Sequence, residues 1–350
     1  MPPKIPLVIC IVFIFWLFYR DRKLRPMTSL SSWIPLLWVI IIGTRSVSSW
    51  FLDTSLQEIT IDDYLEGSPF DRNVYIALLL AGCAIFLSRL RSLNAFFKTN
   101  KWFFTFLIFC GVSCLWSDYS FVSFKRYIKD IGTVMMALII MTETKPEQSL
   151  KSILSRYTYI TIPLSVLFII YFPEYGRYYE QGGSYAPVYC GIATNKNALG
   201  QISFICGIFM VWDYFTTRHR KDKLQNRLDS LLRMALLAMV IWLLHMANSS
   251  TSTVCMMIGS LIIILLNTSF GKRKIHHLGT GTLVILFFII MILTIPDLFK
   301  SITNVLGRDA TLTGRTDIWK ALLAQPINPL LGSGYQSFWQ TPAAVKIGEK

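Results

Sequence analysis

Long apolar runs, each followed by a short polar or charged stretch, make up most of the chain as far as about residue 296. A run of about 17 to 25 apolar residues can cross the hydrocarbon core of a bilayer as a helix. The pattern predicts ten membrane-spanning helices, of which the first is the shortest and the fifth carries charge at its start. They cover approximately residues 5–19, 33–52, 73–90, 102–116, 128–142, 157–172, 198–215, 232–247, 253–268 and 279–296.

The composition supports the same interpretation. Hydrophobic residues make up 53% of the 350 residues and charged residues only 15%, against about 25% charged in a typical soluble domain. An ordinary soluble enzyme, a disulfide-rich secreted scaffold and a disordered tail are therefore excluded as classes. The sequence predicts an all-α polytopic membrane protein, with a helix bundle over residues 1–297 and an outer loop over residues 298–350.

Charge along the chain predicts the orientation. The net charge of +14 is typical either of a nucleic-acid partner or of cytoplasmic loops in a membrane protein. Five basic segments hold 20 of the 34 Lys and Arg residues, whereas residues 53–71 hold six acidic residues and no basic one. These segments alternate with the spans, so the positive-inside rule places the basic ones in the cytoplasm. No nucleic-acid partner is expected.

The residues suited to a chemical site fall in the segments predicted to lie outside. The last of them contains Gly314-Arg315-Thr316-Asp317-Ile318-Trp319 and, further on, Pro329-Leu330-Leu331-Gly332-Ser333-Gly334. Thr313 is a plausible N-cap, so residues 315–323 are predicted to form a short helix. Gly332 and Gly334 predict a tight turn after it.

These motifs resemble the large periplasmic loop of the O-antigen ligase and polymerase superfamily, which includes exopolysaccharide polymerases. The resembling pattern is Gly-Arg-x-x-x-Trp followed by Pro-x-x-Gly-x-Gly-x-x-x-Phe. Four further segments resemble the family in the same order along the chain. They are Gly43 to Trp50, Trp116-Ser117 with Ser123 to Arg126, Gly191 to Gly200 with its Lys196-Asn197 pair, and the Ser/Thr-rich turn Ser249 to Thr253.

The resemblance implies a glycosyltransferase of the bacterial inner membrane whose active face is periplasmic. Its donor would be an undecaprenyl-pyrophosphate-linked glycan, and its acceptor a saccharide or lipid A-core hydroxyl. Membrane lipids would surround it, and no cofactor or metal ion is implied. The sequence does not separate a ligase from a polymerase.

Six residues are candidates for binding the anionic donor, because guanidinium groups match phosphate oxygens and stay charged. The resemblance and the outer placement select Arg315, Arg126, Arg45, Arg177, Lys196 and Asn197. Each has an alternative explanation: the arginines could contact lipid headgroups or loop backbone, and Asn197 could cap the following helix. A lone histidine near a span end, His245, is predicted to have a packing role.

The resembled family also places a histidine after the Gly-Arg motif, as the base that activates the acceptor. No histidine follows His277 here, so the catalytic residue is expected beyond the end of the chain, in a truncated product or fragment. Two other functions stay open. One is a glycolipid or polysaccharide transporter or flippase, and the other is an inactive, truncated membrane scaffold.

Overall fold

The computed structural model describes residues 4–25, 29–51, 68–90, 94–179, 186–217, 223–268, 280–281, 315–328, 330–341, 344 and 347. Helices dominate this part of the chain. They are α1 (Lys4–Leu24), α2 (Trp33–Gly43), α3 (Ser48–Phe51), α4 (Pro69–Ser88), α5 (Asn94–Thr99), α6 (Lys101–Ser113), α7 (Ser120–Met141), α8 (Pro146–Tyr171), α9 (Pro173–Gly176), α10 (Lys196–Thr217), α11 (Lys223–Ala247), α12 (Ser250–Asn267) and α13 (Arg315–Leu323). Two short strands, β1 (Arg177–Tyr179) and β2 (Pro187–Tyr189), pair antiparallel between α9 and α10.

The predicted class is confirmed: the chain is an all-α polytopic membrane protein. Among the described residues, five helices are long and apolar enough to cross a bilayer, namely α4, α8, most of α10, most of α11, and α12. Two further apolar helices, at Leu30–Gly43 and Lys101–Trp116, are shorter. The predicted tenth span and the predicted boundary near residue 297 lie outside the described residues.

The chain forms two compact units. The first comprises residues 1–95 and 132–267, and the second comprises residues 96–131 and 268–350. The helix α7 contributes its first half to the second unit and its second half to the first. Each unit is therefore built from segments that are distant in sequence.

Helix α8 lies at the centre of the first unit, where it contacts α1, α2, α10 and α11. Ser152, Ser155, Thr158, Thr161 and Ser165 are all buried on it. They recur every three or four residues, so they form one stripe along the helix. Small side chains let neighbouring helix backbones approach closely in a membrane. This stripe explains why α8 is the most deeply buried of the long apolar helices.

Buried ion pairs join four helices of the first unit near the ends of the predicted spans. Asp21 of α1 is 2% exposed and bonds to Arg156 of α8, with 2.9 Å between Oδ2 and Nε. Asp213 of α10 pairs with Arg233 of α11 at 3.0 Å, and Arg20 pairs with Asp229. The basic segments of the sequence indicated only loop charge for Arg20, Arg156 and Arg233. The structure instead places these arginines in ion pairs between helices.

A second polar cluster surrounds the buried carboxylate of Glu143, in the turn after α7. Glu143 Oε1 accepts hydrogen bonds from Ser31 Oγ at 2.6 Å, Ser29 Oγ at 3.0 Å and Arg89 Nη1 at 2.7 Å. Burial alone would raise the pKa of Glu143. The three hydrogen bonds and the charge of Arg89 outweigh it and hold the pKa below its usual value.

This lowered pKa predicts a pH dependence of stability. A carboxyl group whose pKa is lower in the folded state stabilises the protein above its unfolded pKa of about 4.3 and loses that effect as pH falls through the folded value. The melting temperature of the parent protein should therefore fall between about pH 5 and pH 3, and it should fall less steeply for Glu143→Gln. Melting curves across this range test the prediction, and equal slopes for the two proteins would contradict it.

Candidate functional site

In the second unit, the segment after α13 docks onto the residues that join α6 and α7. Trp116 Nε1 donates to the carbonyl oxygen of Leu331 at 3.0 Å. Gly334 packs against Ser117, where an added Cβ would come within 2.5 Å of the Ser117 Cβ. The φ angle of Gly334 is +90°, and that of Gly332 is +67°. The predicted tight turn is confirmed, and the Trp-Ser and Gly-x-Gly segments are in contact.

Arg126 belongs to this contact. Its Nη1 donates to the carbonyl oxygen of Gln336 at 2.5 Å. The side-chain amide of Gln340 also faces the Arg126 guanidinium, and its oxygen would accept from Arg126 in the swapped amide orientation. Arg126 thus holds the docked segment through the Gln336 carbonyl, which makes it a positioning residue for this loop. Its predicted role towards pyrophosphate stays a prediction.

Asp130 is the acceptor at the centre of the same contact. Its Oδ2 accepts from Tyr335 Oη at 2.6 Å and from Gln336 Nε2 at 2.8 Å. Burial and the hydrogen bond to Asp130 raise the pKa of Tyr335, so the phenol stays a donor. The Tyr335 ring also meets the Tyr127 ring edge-on, with 5.9 Å between centroids. Asp130 was not among the site residues predicted from the sequence, although a carboxylate in an apolar run by itself indicates a functional residue.

In the first unit, Arg45 differs from its predicted placement. The predicted span over residues 33–52 is interrupted, since α2 ends at Gly43. The Thr44 hydroxyl donates to the carbonyl oxygen of Ile40 at 2.8 Å. Gly43 permits the Tyr157 hydroxyl to approach, since an added Cβ would lie 2.3 Å from it. Arg45 therefore lies in a loop after the helix and is half-buried, rather than inside a span.

The Arg45 guanidinium binds the loop that precedes α10. Nε donates to the carbonyl oxygen of Ala193 at 3.0 Å, and Nη2 contacts Cys190 Sγ at 3.1 Å and the carbonyl oxygen of Tyr175. Burial raises the pKa of the Cys190 thiol, although the charge of Arg45 opposes the shift. Nη1 makes no hydrogen bond among the described residues. Arg45 therefore fixes the loop and keeps one nitrogen for another acceptor.

Arg177 is used in a similar way on β1. Its Nε and Nη2 donate to the carbonyl oxygen of Ile169 at 2.9 and 2.6 Å, and its guanidinium lies 5.4 Å from the Tyr189 ring centroid. Residues 177 and 189 are paired across the two strands. Arg177 and Arg45 thus hold opposite sides of one loop, between α8 and α10. Their predicted role as pyrophosphate ligands is not tested by these contacts.

Lys196 and Asn197 begin α10, but neither caps it. The cap is Asn195, whose Oδ1 accepts from the Ala198 backbone N–H at 2.9 Å. The alternative explanation of Asn197 as a cap is therefore wrong, and its side chain is exposed. Lys196 lines a cavity of about 470 Å³ whose other polar lining residues include Tyr189, His245 and Asn248. The sequence predicted only a packing role for His245.

Arg315 is the first residue of α13, and the predicted helix over residues 315–323 is confirmed. The side chain of Arg315 and the proposed N-cap Thr313 lie outside the described residues. The structure thus groups Arg126 with the docked segment, and Arg45 with Arg177 and their loop, within separate units. The predicted catalytic histidine beyond the chain end also lies outside what the structure describes.

The chain is similar to a curated protein of exopolysaccharide production. No family model and no solved structure matches the chain. The chain is 26% identical over 252 residues to the exopolysaccharide production protein ExoQ of Rhizobium meliloti (strain 1021). The match covers 69% of this chain and 53% of the relative, so the chain spans about half the length of the curated relative it matches. The similarity is consistent with an O-antigen ligase and polymerase-like family for this chain.

Proposed function

We propose that this protein takes part in exopolysaccharide or lipopolysaccharide synthesis as a membrane glycosyltransferase. It would transfer a glycan from an undecaprenyl-pyrophosphate carrier to a sugar hydroxyl of a saccharide or lipid A-core acceptor, on the periplasmic face of the inner membrane. The similarity to an exopolysaccharide production protein supports the process. The reaction itself comes from the resemblance of the outer motifs.

The docking of residues 331–341 onto the start of α7 is the observation that carries the proposal. Trp116, Ser117 and Arg126 there meet, respectively, Leu331, Gly334 and Gln336. These are the segments that the family resemblance singles out in two separate parts of the chain. Neither segment alone requires a chemical role. Their contact, however, brings the two segments together at one place, and this supports a site built around the loop.

In the proposed reaction, the acceptor hydroxyl oxygen attacks the anomeric carbon of the donor. The bond from that carbon to the pyrophosphate oxygen breaks, and the lipid pyrophosphate leaves with the electron pair. The acceptor gives its proton to a base. Arginine side chains would stabilise the charge that builds on the leaving pyrophosphate. We assign this role to Arg315 first and to Arg126, Arg45 and Arg177 as further candidates, with Lys196 and Asn197 at the border.

A transporter or flippase is the alternative function. Transporters typically carry charged or broken helices near the bilayer midplane. The buried ion pairs of this protein instead lie near the ends of the predicted spans: Asp21 follows the span 5–19, and its partner Arg156 directly precedes the span 157–172. Pro163 lies inside α8, but the helix is continuous through it. These features favour a transferase.

Replacing Arg315 by alanine in the full-length protein tests the proposal. We expect glycan transfer from an undecaprenyl-pyrophosphate donor to slow by about 100-fold, as when one charge-stabilising donor is removed from an active site. Lys320→Ala is the matched control, because Lys320 is an exposed cation on the same helix α13. It should transfer glycan within about twofold of the parent rate. Transfer by Arg315→Ala at the parent rate would remove the pyrophosphate assignment.

A further inference from the structure

Two adjoining cavities at one end of α10, α11 and α12 differ in their linings. One, called the polar cavity here because it contains Lys196, has a volume of about 470 Å³ and a mixed polar and apolar lining that includes Tyr189. The other is a groove of about 680 Å³ with a mostly apolar lining. His245 and Asn248 line both, so the groove and the cavity meet at these two side chains. An amphipathic molecule would fit this arrangement, with its polar end in the cavity.

The local backbone explains why the two cavities meet there. Asn248 ends α11 in the left-handed conformation, with φ of +46°, a common way for a helix to stop. Ser250 then begins α12 at once. The reversal brings His245, in the last turn of α11, beside the first turn of α12. His245 and Asn248 are both exposed at this corner.

The charge of the polar cavity favours an anion. Lys196 carries a positive charge, and the imidazole of His245, in the last turn of α11, can donate a hydrogen bond to an anion. No Asp or Glu occurs among the described residues that line either cavity. The imidazole of His245 makes no hydrogen bond within the described part of the chain. Tyr189 and Asn248 add neutral hydrogen-bonding groups, which suit the phosphate and hydroxyls of a lipid headgroup.

The length of the groove favours one acyl chain of one leaflet. Its lining runs along α11 from Asn248 to Leu237, a distance of about 16 Å at 1.5 Å per residue. Half of the bilayer core is about 15 Å. Ile241, Val254 and Met257 line the groove and are at least 43% exposed, so the groove is open to the surrounding acyl chains. A much longer polyprenyl chain would extend beyond it.

We propose that this composite site binds an anionic phospholipid, with the phosphate between Lys196 and His245 and one acyl chain along the groove. The site would anchor this end of the first unit to the membrane by a specific lipid. The site shares Lys196 with the border of the proposed transfer site, but it uses neither the docked loop nor the arginine candidates. Lipid binding is measured without a glycan donor, so its failure is distinguishable from a failure of the proposed transfer.

Lipid titration of the purified protein in detergent, followed by native mass spectrometry, tests this site. Phosphatidylglycerol should bind more tightly than phosphatidylcholine with the same acyl chains. The double variant Lys196→Gln/His245→Gln should bind phosphatidylglycerol about tenfold more weakly than the parent. Arg22→Gln/Lys23→Gln is the matched control, because it removes charge at an exposed site of the same unit that lines neither cavity. Its affinity should equal that of the parent.

A groove variant separates the acyl contact from the headgroup contact. Val254→Trp fills the groove and should weaken both lipids, whereas Ile262→Trp, at an exposed position on the same helix α12, should weaken neither. Unchanged melting temperatures show that each variant is folded. Equal affinity for the two lipids, or no effect of the charge variant, would overturn the proposal. Tighter binding of undecaprenyl phosphate than of phosphatidylglycerol at these residues would overturn it in favour of a donor site.

Discussion

Asp21→Asn is expected to destabilise the folded protein by about 3–5 kcal/mol, the typical cost of removing one partner from a buried ion pair. Asp21 is 2% exposed, and Arg156 is 3% exposed. The Asp21 carboxylate accepts three hydrogen bonds, from Arg25 Nη1 at 2.5 Å, Ser152 Oγ at 2.7 Å and Arg156 Nε at 2.9 Å. The amide cannot supply the negative charge, so Arg156 would stay buried without it.

The matched control for Asp21 is an exposed pair of the same type. Glu147 and Lys151 are 2.8 Å apart on α8, and the Glu147 side chain is 70% exposed. Glu147→Gln should change the unfolding free energy by less than about 1 kcal/mol, because water and salt screen an exposed pair. Thermal unfolding of both variants in the same detergent measures the difference. Equal effects of the two substitutions would show that burial of the Asp21 pair contributes nothing to stability.

The sequence predicted the class of fold because the apolar runs report directly on membrane helices. Their length and low charge predict that α4, α8 and α10 are spans, whatever their neighbours. The end of α2 was harder to predict. Residues 44–50 remain mostly apolar or small, and the helix ends where Gly43 packs closely against the Tyr157 hydroxyl. That contact joins residues more than a hundred positions apart.

The ion pairs near the ends of the predicted spans were not predictable either, because they too join residues that are distant in sequence. Basic residues outside the apolar runs are expected to face water, and a sequence does not show that Arg156 turns towards Asp21. Burial of both charges depends on the packing of α1 against α8. The orientation predicted from loop charge stays a prediction, and the same rule gives no sign of the ion pairs of α8.

The sequence predicted which segments belong to the candidate site, but it did not predict which residues contact one another there. The glycines of the last segment predicted a turn, and the turn is present. That this turn docks on Ser117 and places Tyr335 on Asp130 depends on contacts more than two hundred residues apart. The same applies to Arg126: its charge suggested a phosphate ligand, yet the structure shows it bound to the backbone of Gln336.

Gly334→Ala is expected to detach residues 331–341 from α6 and α7 and to abolish most glycan transfer, if the docked loop builds the active site as proposed. Gly334 has a φ angle of +90°, and an added Cβ would lie 2.6 Å from Ser117 Cα and 3.1 Å from the Ser113 carbonyl oxygen. Backbone atoms cannot yield as a flexible side chain can. The substitution therefore adds a steric conflict to a backbone strain of about 1–3 kcal/mol.

Gly332→Ala isolates the strain from the steric conflict. Its φ angle is +67°, but nothing lies within 4 Å of the added Cβ. It should cost only the strain of a left-handed alanine, about 1–2 kcal/mol, and leave the segment docked. Hydrogen exchange of the backbone amides in residues 331–341 measures docking separately from activity. We expect fast exchange for Gly334→Ala and near-parent exchange for Gly332→Ala. If both variants exchange alike while only one loses transfer, Gly334 acts on the reaction by a route other than docking.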